Sequence, residues 1–451
     1  MNAATQPKAK PTLWSRARAM AEQAPPERNR YVDFLRAFSI LAVVVGHWLV
    51  AAPWMKDGAV EGGHLLGIIP WTQWLTWGFQ VMPVFFLVGG FSNGLSWAAT
   101  RRDGGRFAAW YAARIRRLID PVLPLLLVWT VITLFGTAMG IDRGIVKMAA
   151  QLALVPVWFL AVYLFVTAAT PWTHAAWRRY GLASFFALVA GAVAVDVAAL
   201  AFDIPYVNFL NFAFVWLAVH QLGYAWRDGA FAAPARALLW SAAGFAALAL
   251  LIGLGPYPVA MIGVPGAELS NSMPPTLALL ALGVAQTGLV LALEGPGRRL
   301  LGNLRLWTAV VLLNGMIMTV YLWHLTAFVL VMVAAWLLGG VGLHAAPGSA
   351  EWWLARPVWF ALYILLLLPF IPLFARYEQG GKAVDDDVSH VRLLFGMLMI
   401  CIGLAMTAAI SIASPEGVTG VRLWVVALPF AGAALVGFGP AARLLMRRAG
   451  A

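Results

Sequence analysis

Apolar runs of about 20 residues recur along nearly the whole chain, and they restrict its fold more than any other feature. A helix of about 20 residues spans the hydrocarbon core of a bilayer, which is roughly 30 Å thick. Backbone polar groups in that core must be hydrogen-bonded within the protein, which leaves helices and closed barrels. The chain is 62% hydrophobic and 11% charged. We therefore predict an all-α fold, a polytopic transmembrane helix bundle with no sizeable soluble domain.

The apolar runs predict about 12 spans. They lie near 37–52, 74–97, 119–139, 149–171, 181–201, 208–226, 237–255, 276–293, 307–338, 357–374, 393–413 and 422–440. The ninth run is too long for one span, and Asn314-Gly315 is a break signal within it, so the span itself is expected to start near Met316. We divide the chain into a disordered tail over 1–30, a membrane core over 31–376, a charged loop over 377–392, and a further hairpin with a basic C-terminus over 393–451.

The net charge of +12 reports membrane topology and not a nucleic-acid partner. If the N-terminus is cytoplasmic, 26 of the 31 Lys and Arg residues fall in cytoplasmic segments. The remaining five are Lys56, Arg143, Lys147, Arg356 and Arg422. This asymmetry follows the positive-inside rule, so both termini are predicted to be cytoplasmic, with the tail over 1–30. The loop over 377–392 is predicted to lie on the same side.

An arginine and a histidine lie eleven residues apart in the first apolar run. Eleven helical steps amount to three turns plus about 20°, so Arg36 and His47 share one helix face, about 16.5 Å apart along the axis. With Arg36 at a membrane edge, His47 lies near the middle of the bilayer. An ionisable side chain at that depth is costly, so His47 is a candidate catalytic residue. The alternative is a histidine hydrogen-bonded to a neighbouring helix.

The segment after the second run carries six arginines between 101 and 117. Arg114 and Arg117 are three residues apart on a predicted short helix, so their guanidinium groups lie on one face. Such groups suit bidentate phosphate binding. The alternative, in which they only follow the topology rule and contact anionic lipid, is equally consistent with the chemistry.

Other polar residues in apolar runs are harder to interpret. Tyr321-Leu-Trp-His324 contains a second buried histidine, for which a structural hydrogen bond is the simpler interpretation. His220 is expected to reach towards the membrane surface, and Asp196 has no evident partner. The single cysteine, Cys401, excludes an intrachain disulfide. The acidic run 385–387 is interpreted as a solvated loop, so no metal site is predicted.

Five short motifs, taken in order, resemble those of the acyltransferase-3 family of integral membrane O-acyltransferases. They are Asp33-Phe-Leu-Arg36 with His47, Phe85-Phe-Leu-Val-Gly-Gly-Phe91, Arg114 with Arg117, Trp158-Phe-Leu160, and Tyr321-Leu-Trp-His324. Gly89 stands where that family usually has Ser, and Val157 where a His often precedes the Trp. The resemblance covers about 30–375, and it implies a ten-helix core to which the last two spans are added.

The resemblance implies transfer of an acyl group, expected to be acetyl, from cytoplasmic acyl-CoA to a hydroxyl group. Arg36, Arg114 and Arg117 would bind the donor phosphates. His47 would act as general base or carry a transient acyl group, while His324 or Tyr321 would orient it or bind the oxyanion. The acceptor stays open between a carbohydrate, a lipid-linked sugar and a hydroxylated natural product. Acyl-CoA is therefore the expected donor substrate, with no metal, and a bacterial plasma membrane is the expected location.

A twelve-helix secondary transporter is the main alternative function. The number of spans matches that class, and Arg102-Asp-Gly-Gly-Arg106 is loosely similar to its basic loop. No two-fold repeat and no long central loop are evident in the sequence, however, and both are typical of such transporters.

Overall fold

The computed structural model describes residues 12–56, 58–378, 389–440 and 442. Within them the chain forms 21 α-helices, three 3-10 helices and one two-stranded sheet. The first helices are α1 Leu13–Glu22, α2 Arg30–Val50, α3 Leu65–Ile68, α4 Thr76–Phe79, α5 Met82–Arg102, α6 Phe107–Ile119, α7 Val122–Ala138, α8 Arg143–Leu154, α9 Val157–Ala168, α10 Thr170–Tyr180 and α11 Leu182–Leu200. The others are α12 Asn211–Arg227, α13 Pro234–Leu254, α14 Leu277–Ala292, α15 Glu294–Leu300, α16 Leu304–Asn314, α17 Ile317–Leu337, α18 Ala350–Leu367, α19 Phe370–Phe374, α20 His390–Ile410 and α21 Leu423–Val436.

The described residues include nine helical stretches that are long and apolar enough to cross a membrane. A tenth is counted if α14 and α15, which meet at a bend of 51°, form one broken span. The polytopic all-α bundle is thus confirmed, but the number of 12 spans is not. Two predicted spans correspond to short helices, α12 with 17 residues and α21 with 14.

Helix α5 contacts α2, α12 and α14, α12 contacts α14, and α2 contacts α17. The approach of α5 to α12 depends on Gly90 and Gly223. A Cβ atom on Gly90 would lie 1.8 Å from the carbonyl oxygen of His220, and one on Gly223 would lie 2.3 Å from that of Leu87. No side chain fits at these distances, so the two glycines allow backbone contact between the helices.

The two ends of the bundle differ. The arginine end, as we call it, carries the first turns of α2 and α17 together with α6. The loop end carries residues 51–81 and 255–276, and its strands β1 Trp54–Lys56 and β2 Ala59–Glu61 form a hairpin. Gln80 Nε2 donates to the carbonyl oxygen of Met261 at 3.1 Å, which ties these two loop segments together.

The predicted break in the ninth apolar run is confirmed. Helix α16 ends at Asn314, Gly315 follows, and α17 begins at Ile317. The first turn of α17 is then capped by Glu378, which accepts hydrogen bonds from the backbone N–H groups of Met318 at 3.2 Å and Thr319 at 2.6 Å. Burial raises the pKa of the Glu378 carboxyl above its usual range. An acceptor at this position satisfies N–H groups that a helix start leaves unpaired.

Part of the predicted disordered tail is helical. Helix α1 packs against α16 through the buried side chains of Ala17 and Ala21, and Trp307 donates its indole N–H to the carbonyl oxygen of Ala21 at 3.1 Å. The prediction of disorder is therefore wrong for residues 13–22, because contact with α16 stabilises a helix whose own sequence is only weakly apolar. Residues 1–11, the acidic run 385–387 and the basic segment 443–451 lie outside the described residues.

The predicted C-terminal hairpin corresponds to α20 and α21, which pack against each other. Helix α20 also contacts α6, α8 and α9, and α21 contacts α6 and α7. At their connection, a guanidinium N–H of Arg422 donates to the carbonyl oxygen of Ile410 at 2.7 Å and so satisfies the end of α20. The hairpin thus covers the face of the bundle that includes α6, the helix of Arg114 and Arg117.

Candidate active site

His47 and His324 form a hydrogen-bonded pair between α2 and α17. Nδ1 of His47, in the last turn of α2, lies 2.9 Å from Nε2 of His324. The indole N–H of Trp48 donates to the carbonyl oxygen of His324 at 3.1 Å, which fixes the end of α2 against α17. His324 is fully buried, whereas His47 is partly exposed. The two histidines that the sequence singled out separately thus belong to one site.

The hydrogen bonds determine which ring nitrogens carry protons. Nδ1 of His324 lies 2.6 Å from the carbonyl oxygen of Tyr321, which has only lone pairs, so this nitrogen carries the hydrogen. Nε2 of a neutral His324 is then an acceptor, and Nδ1 of His47 must donate to it. Nε2 of His47 is left with a free lone pair. This is the protonation state that a general base requires.

The hydroxyl group of Tyr321 is already engaged. It donates to the carbonyl oxygen of Pro156 at 2.7 Å, which joins α17 to the start of α9. The predicted oxyanion role would need this donor to be free. The backbone carbonyl oxygen of Tyr321, by contrast, contacts the ring of His324.

The histidine pair lies well inside the bundle. His324 is seven residues from the start of α17 and thirteen from its end, which corresponds to about 10.5 and 19.5 Å along the axis. His47 lies beside it, although α2 itself ends three residues later. After α2, residues 51–55 continue towards the loop end, where the backbone N–H of Met55 donates to the carbonyl oxygen of Leu343. Measured along α17, the histidine pair thus lies about a third of the way from the arginine end to the loop end.

A cavity of about 920 Å³ adjoins the histidine pair. Its walls come from α2, α5, α8, α9, α17 and the segments of the loop end, and both His47 and Tyr321 line it. Since Nδ1 of His47 is bonded to His324, Nε2 is the ring nitrogen that can meet a molecule in the cavity. On the side of the arginine end, the wall includes Ser39, whose buried hydroxyl oxygen has no hydrogen-bond partner among the described residues.

The three predicted phosphate-binding arginines come together at the arginine end. Arg117 lies close enough to both Arg36 and Arg114 to interact with them electrostatically. Arg36 is bound to Asp33 at 3.2 Å and reaches Ser92 Oγ at 3.4 Å. Arg114 lies flat over the ring of Trp110, with its Cζ 3.9 Å from the ring centroid, and donates to Ser96 Oγ at 2.5 Å. Three cations held this close favour binding of an anion.

Tyr163 connects the arginines to the histidine pair. Its hydroxyl group lies near the Asn93 side chain and interacts electrostatically with Arg36 and Arg114. Its ring contacts Phe159, which in turn contacts the ring of Tyr321. A Cβ atom on Gly89 would lie 2.9 Å from the Tyr163 ring, so the glycine at this position makes room for the tyrosine. Sequence reasoning missed Tyr163 and Asn93, although the spacing of Gly89 and Asn93 along α5 places them on one helix face.

Two polar residues in apolar runs, His220 and Asp196, have hydrogen-bonding partners inside the bundle. His220 is completely buried, and its Nε2 lies 3.2 Å from Nδ2 of Asn93. The prediction that it reaches the membrane surface is therefore wrong, since α12 is enclosed by other helices. Asp196, for which the sequence offered no partner, accepts hydrogen bonds from Asn211, Tyr257 and the backbone N–H of Leu277. These contacts position the start of α14.

One comparison with known proteins gives a match. A family model described as an acyltransferase domain, that of the acyltransferase-3 family, matches residues 29–376, more than three quarters of the chain. No curated protein and no solved structure matches the chain. The chain belongs to the acyltransferase-3 family. It is an integral membrane acyltransferase that transfers groups other than aminoacyl groups. Helices α20 and α21 lie beyond the matched region.

Proposed function

We propose that this protein transfers an acyl group, expected to be acetyl, from acyl-CoA to a hydroxyl group. The observation that carries the proposal is the lone pair on Nε2 of His47, which the chain of hydrogen bonds through His324 to the Tyr321 carbonyl fixes beside a large cavity. An acceptor hydroxyl in that cavity can give its proton to this nitrogen.

The donor phosphates would bind at the arginine end, with Arg36, Arg114 and Arg117 as their partners. Arg36 and His47 are eleven residues apart on α2, about 16.5 Å along the axis, a distance that the flexible arm of coenzyme A can bridge. Ser39 lies on the cavity wall one turn from Arg36, and its unpartnered hydroxyl is available to a polar group of that arm. This arrangement supports acyl-CoA as the donor substrate, bound from the cytoplasm.

In the proposed reaction the histidine pair moves the proton between the two substrates. Nε2 of His47 takes the proton of the acceptor hydroxyl as the oxygen attacks the thioester carbonyl. The C–O bond forms, the C–S bond of the tetrahedral intermediate breaks, and the leaving thiolate takes the proton back from the imidazolium. His324 stabilises the imidazolium by accepting its Nδ1–H. Transfer through a transient acyl-histidine uses the same nitrogen and is an alternative order of the same steps.

A secondary transporter is not favoured as the alternative function. The family assignment indicates an acyltransferase. The partially exposed His47 beside a cavity and the cluster of three arginines also fit a reaction between two substrates better than alternating access to one.

Replacing both Arg114 and Arg117 with alanine is expected to weaken binding of acetyl-CoA. Losing one charge-assisted interaction costs about 1.5–3 kcal/mol, or roughly ten- to a hundredfold in affinity. Titration of the purified protein with acetyl-CoA measures this. Lysine at these positions should restore affinity only in part, because it lacks the planar fork. Arg101→Ala, at an exposed arginine at the end of α5, is the matched control. Unchanged affinity for acetyl-CoA in the double variant would contradict phosphate binding and leave both residues with a role in membrane topology only.

Cysteine labelling tests the proposed topology, with the arginine end in the cytoplasm. In a Cys401→Ser background, a membrane-impermeant maleimide should label Lys56→Cys, at the exposed end of β1, in intact cells. Arg101→Cys, at the opposite end of the bundle, should be labelled only after permeabilisation. The reverse pattern would contradict the topology.

A further inference from the structure

The cavity beside His47 has a wall that suits an apolar molecule. Among the described residues that line it, none is Asp, Glu, Lys or Arg, and most are Leu, Val, Ile, Met, Phe or Trp. A sugar moved from water into such surroundings loses hydrogen bonds at each hydroxyl, and every one that is not replaced is unfavourable. The wall therefore favours an acceptor whose body is uncharged and apolar.

The polar side chains on the wall are mostly used within the protein. Thr72, Thr76 and Gln80 donate to the backbone carbonyl oxygens of Ile69, Gln73 and Met261. Tyr321 likewise donates to Pro156. The hydroxyl groups among them have no hydrogen left for the oxygens of a sugar. The side-chain polar groups on the wall that keep free capacity are Nε2 of His47, the hydroxyl of Ser39 and, at the loop end, Nδ1 of His64. The first two suit one acceptor hydroxyl and one donor arm.

The cavity reaches the outside of the bundle on the side of α8 and α17, and also at the loop end, where Phe79 and Met273 line it and are 38% and 49% exposed. On α17 the lining residues become more exposed with distance from His324. Leu325 is 1% exposed and Val329 6%, whereas Val333 is 43% and Trp336 50% exposed. All four are apolar and line the cavity. Their exposure rises along a helix that is long and apolar enough to span the membrane, so on this side the exposed lining side chains are the ones that lipid can contact.

Helix α8 shows the same trend on the opposite wall. Ile145 and Met148, near its first turn, line the cavity and are 48% and 55% exposed, while Leu152, closer to the histidine pair, is only partly exposed. On both helices the lining side chains thus become less exposed towards His47. The cavity volume of about 920 Å³ lies within the range of about 300–1,000 Å³ for sites that bind small molecules.

We propose that the acceptor is an uncharged, membrane-dissolved alcohol, a lipid or a lipid-like natural product. It enters from the bilayer between the outer parts of α8 and α17 and presents its hydroxyl group to Nε2 of His47. This inference rests on the proposed function and names its acceptor class. The products are the ester of that alcohol and free coenzyme A, the hydroxyl proton passing through His47 to the leaving sulfur.

Photolabelling of the full-length protein in lipid nanodiscs tests the proposal. The probe is dodecanol with a diazirine next to its hydroxyl group. A free alcohol in a bilayer keeps its hydroxyl at the interface, so the diazirine reaches the deep segments around His47 and Leu325 only from within the cavity. Mass spectrometry should find label on these segments, and unlabelled dodecanol should remove it while a water-soluble oligosaccharide should not.

Two tryptophan variants of α17 form a matched pair. Val333 lines the cavity and is 43% exposed, whereas Leu330, on the same helix and 38% exposed, does not line it. Val333→Trp should reduce the deep labelling about tenfold by filling the opening, and Leu330→Trp should not change it. Met148→Trp, on the α8 wall, should act like Val333→Trp. Bound acetyl-CoA, measured by titration, shows that each variant is folded.

The outcomes separate this inference from the proposed function. Deep labelling that is absent from the wild type, equal in the two α17 variants, or displaced by the oligosaccharide alone would overturn the membrane-dissolved acceptor. Transfer from radiolabelled acetyl-CoA is measured separately. A protein that is labelled in the cavity but forms neither free CoA nor dodecyl ester would overturn the proposed function and leave the binding site for the alcohol in place.

Discussion

Replacing His47 with alanine is expected to abolish acyl transfer while folding and acetyl-CoA binding stay nearly intact. A positioned general base contributes about 10²–10⁴-fold to a rate, and Nε2 of His47 is the nitrogen that the hydrogen bonds leave free for this task. Since the base acts in the transition state, the loss should appear in kcat and not in donor affinity. Turnover of radiolabelled acetyl-CoA with a membrane-dissolved alcohol measures the first quantity, and titration with acetyl-CoA the second.

The pH dependence of the wild type gives a second measure of the same role. Protonation of Nε2 of His47 removes its lone pair, so the rate should fall towards acid pH, and the residual activity of the alanine variant should lack this dependence. His64→Gln is the matched control, because His64 lines the same cavity at the loop end without contacting His324. A folded His47→Gln protein with the turnover of the wild type would contradict the role of His47 as general base.

Replacing His324 with leucine is expected to lower kcat on the order of 10²-fold with little change in acetyl-CoA affinity. His324 is fully buried and acts through His47, so it is a positioning residue. Without its Nε2, the Nδ1–H of His47 has no acceptor, the proton is no longer held on that nitrogen, and the imidazolium loses its stabilising partner.

Glutamine at position 324 distinguishes positioning from a purely structural role. Its side-chain oxygen can accept the Nδ1–H of His47, so His324→Gln should recover part of the activity lost in His324→Leu. Trp48→Phe, which removes the neighbouring hydrogen bond to the His324 backbone but keeps both rings of the histidine pair, is the control for packing. Equal activity of the glutamine and leucine variants at equal thermal stability would contradict the proposed orientation of His47.

The relative positions of two site residues could be predicted from the sequence where both lie on one helix. Arg36 and His47 lie on α2, and Arg114 and Arg117 lie on α6, as the helical spacing indicated. The break at Asn314-Gly315 was also evident, because it depends on local backbone preferences. The prediction failed for α1, whose helix depends on contact with α16, and for His220, whose burial depends on the helices around α12.

By itself, the sequence determined that the chain is a polytopic helix bundle and that an arginine and a histidine share the face of α2. Both follow from apolar periodicity, which is a local property. Only the tertiary structure decided that His47 pairs with His324, 277 residues away, and that Glu378 caps α17. It also decided that residues of α2, α8, α9 and α17 line one cavity beside His47. These features depend on which helix faces meet and how closely they approach. The spacing of residues along one helix does not determine either.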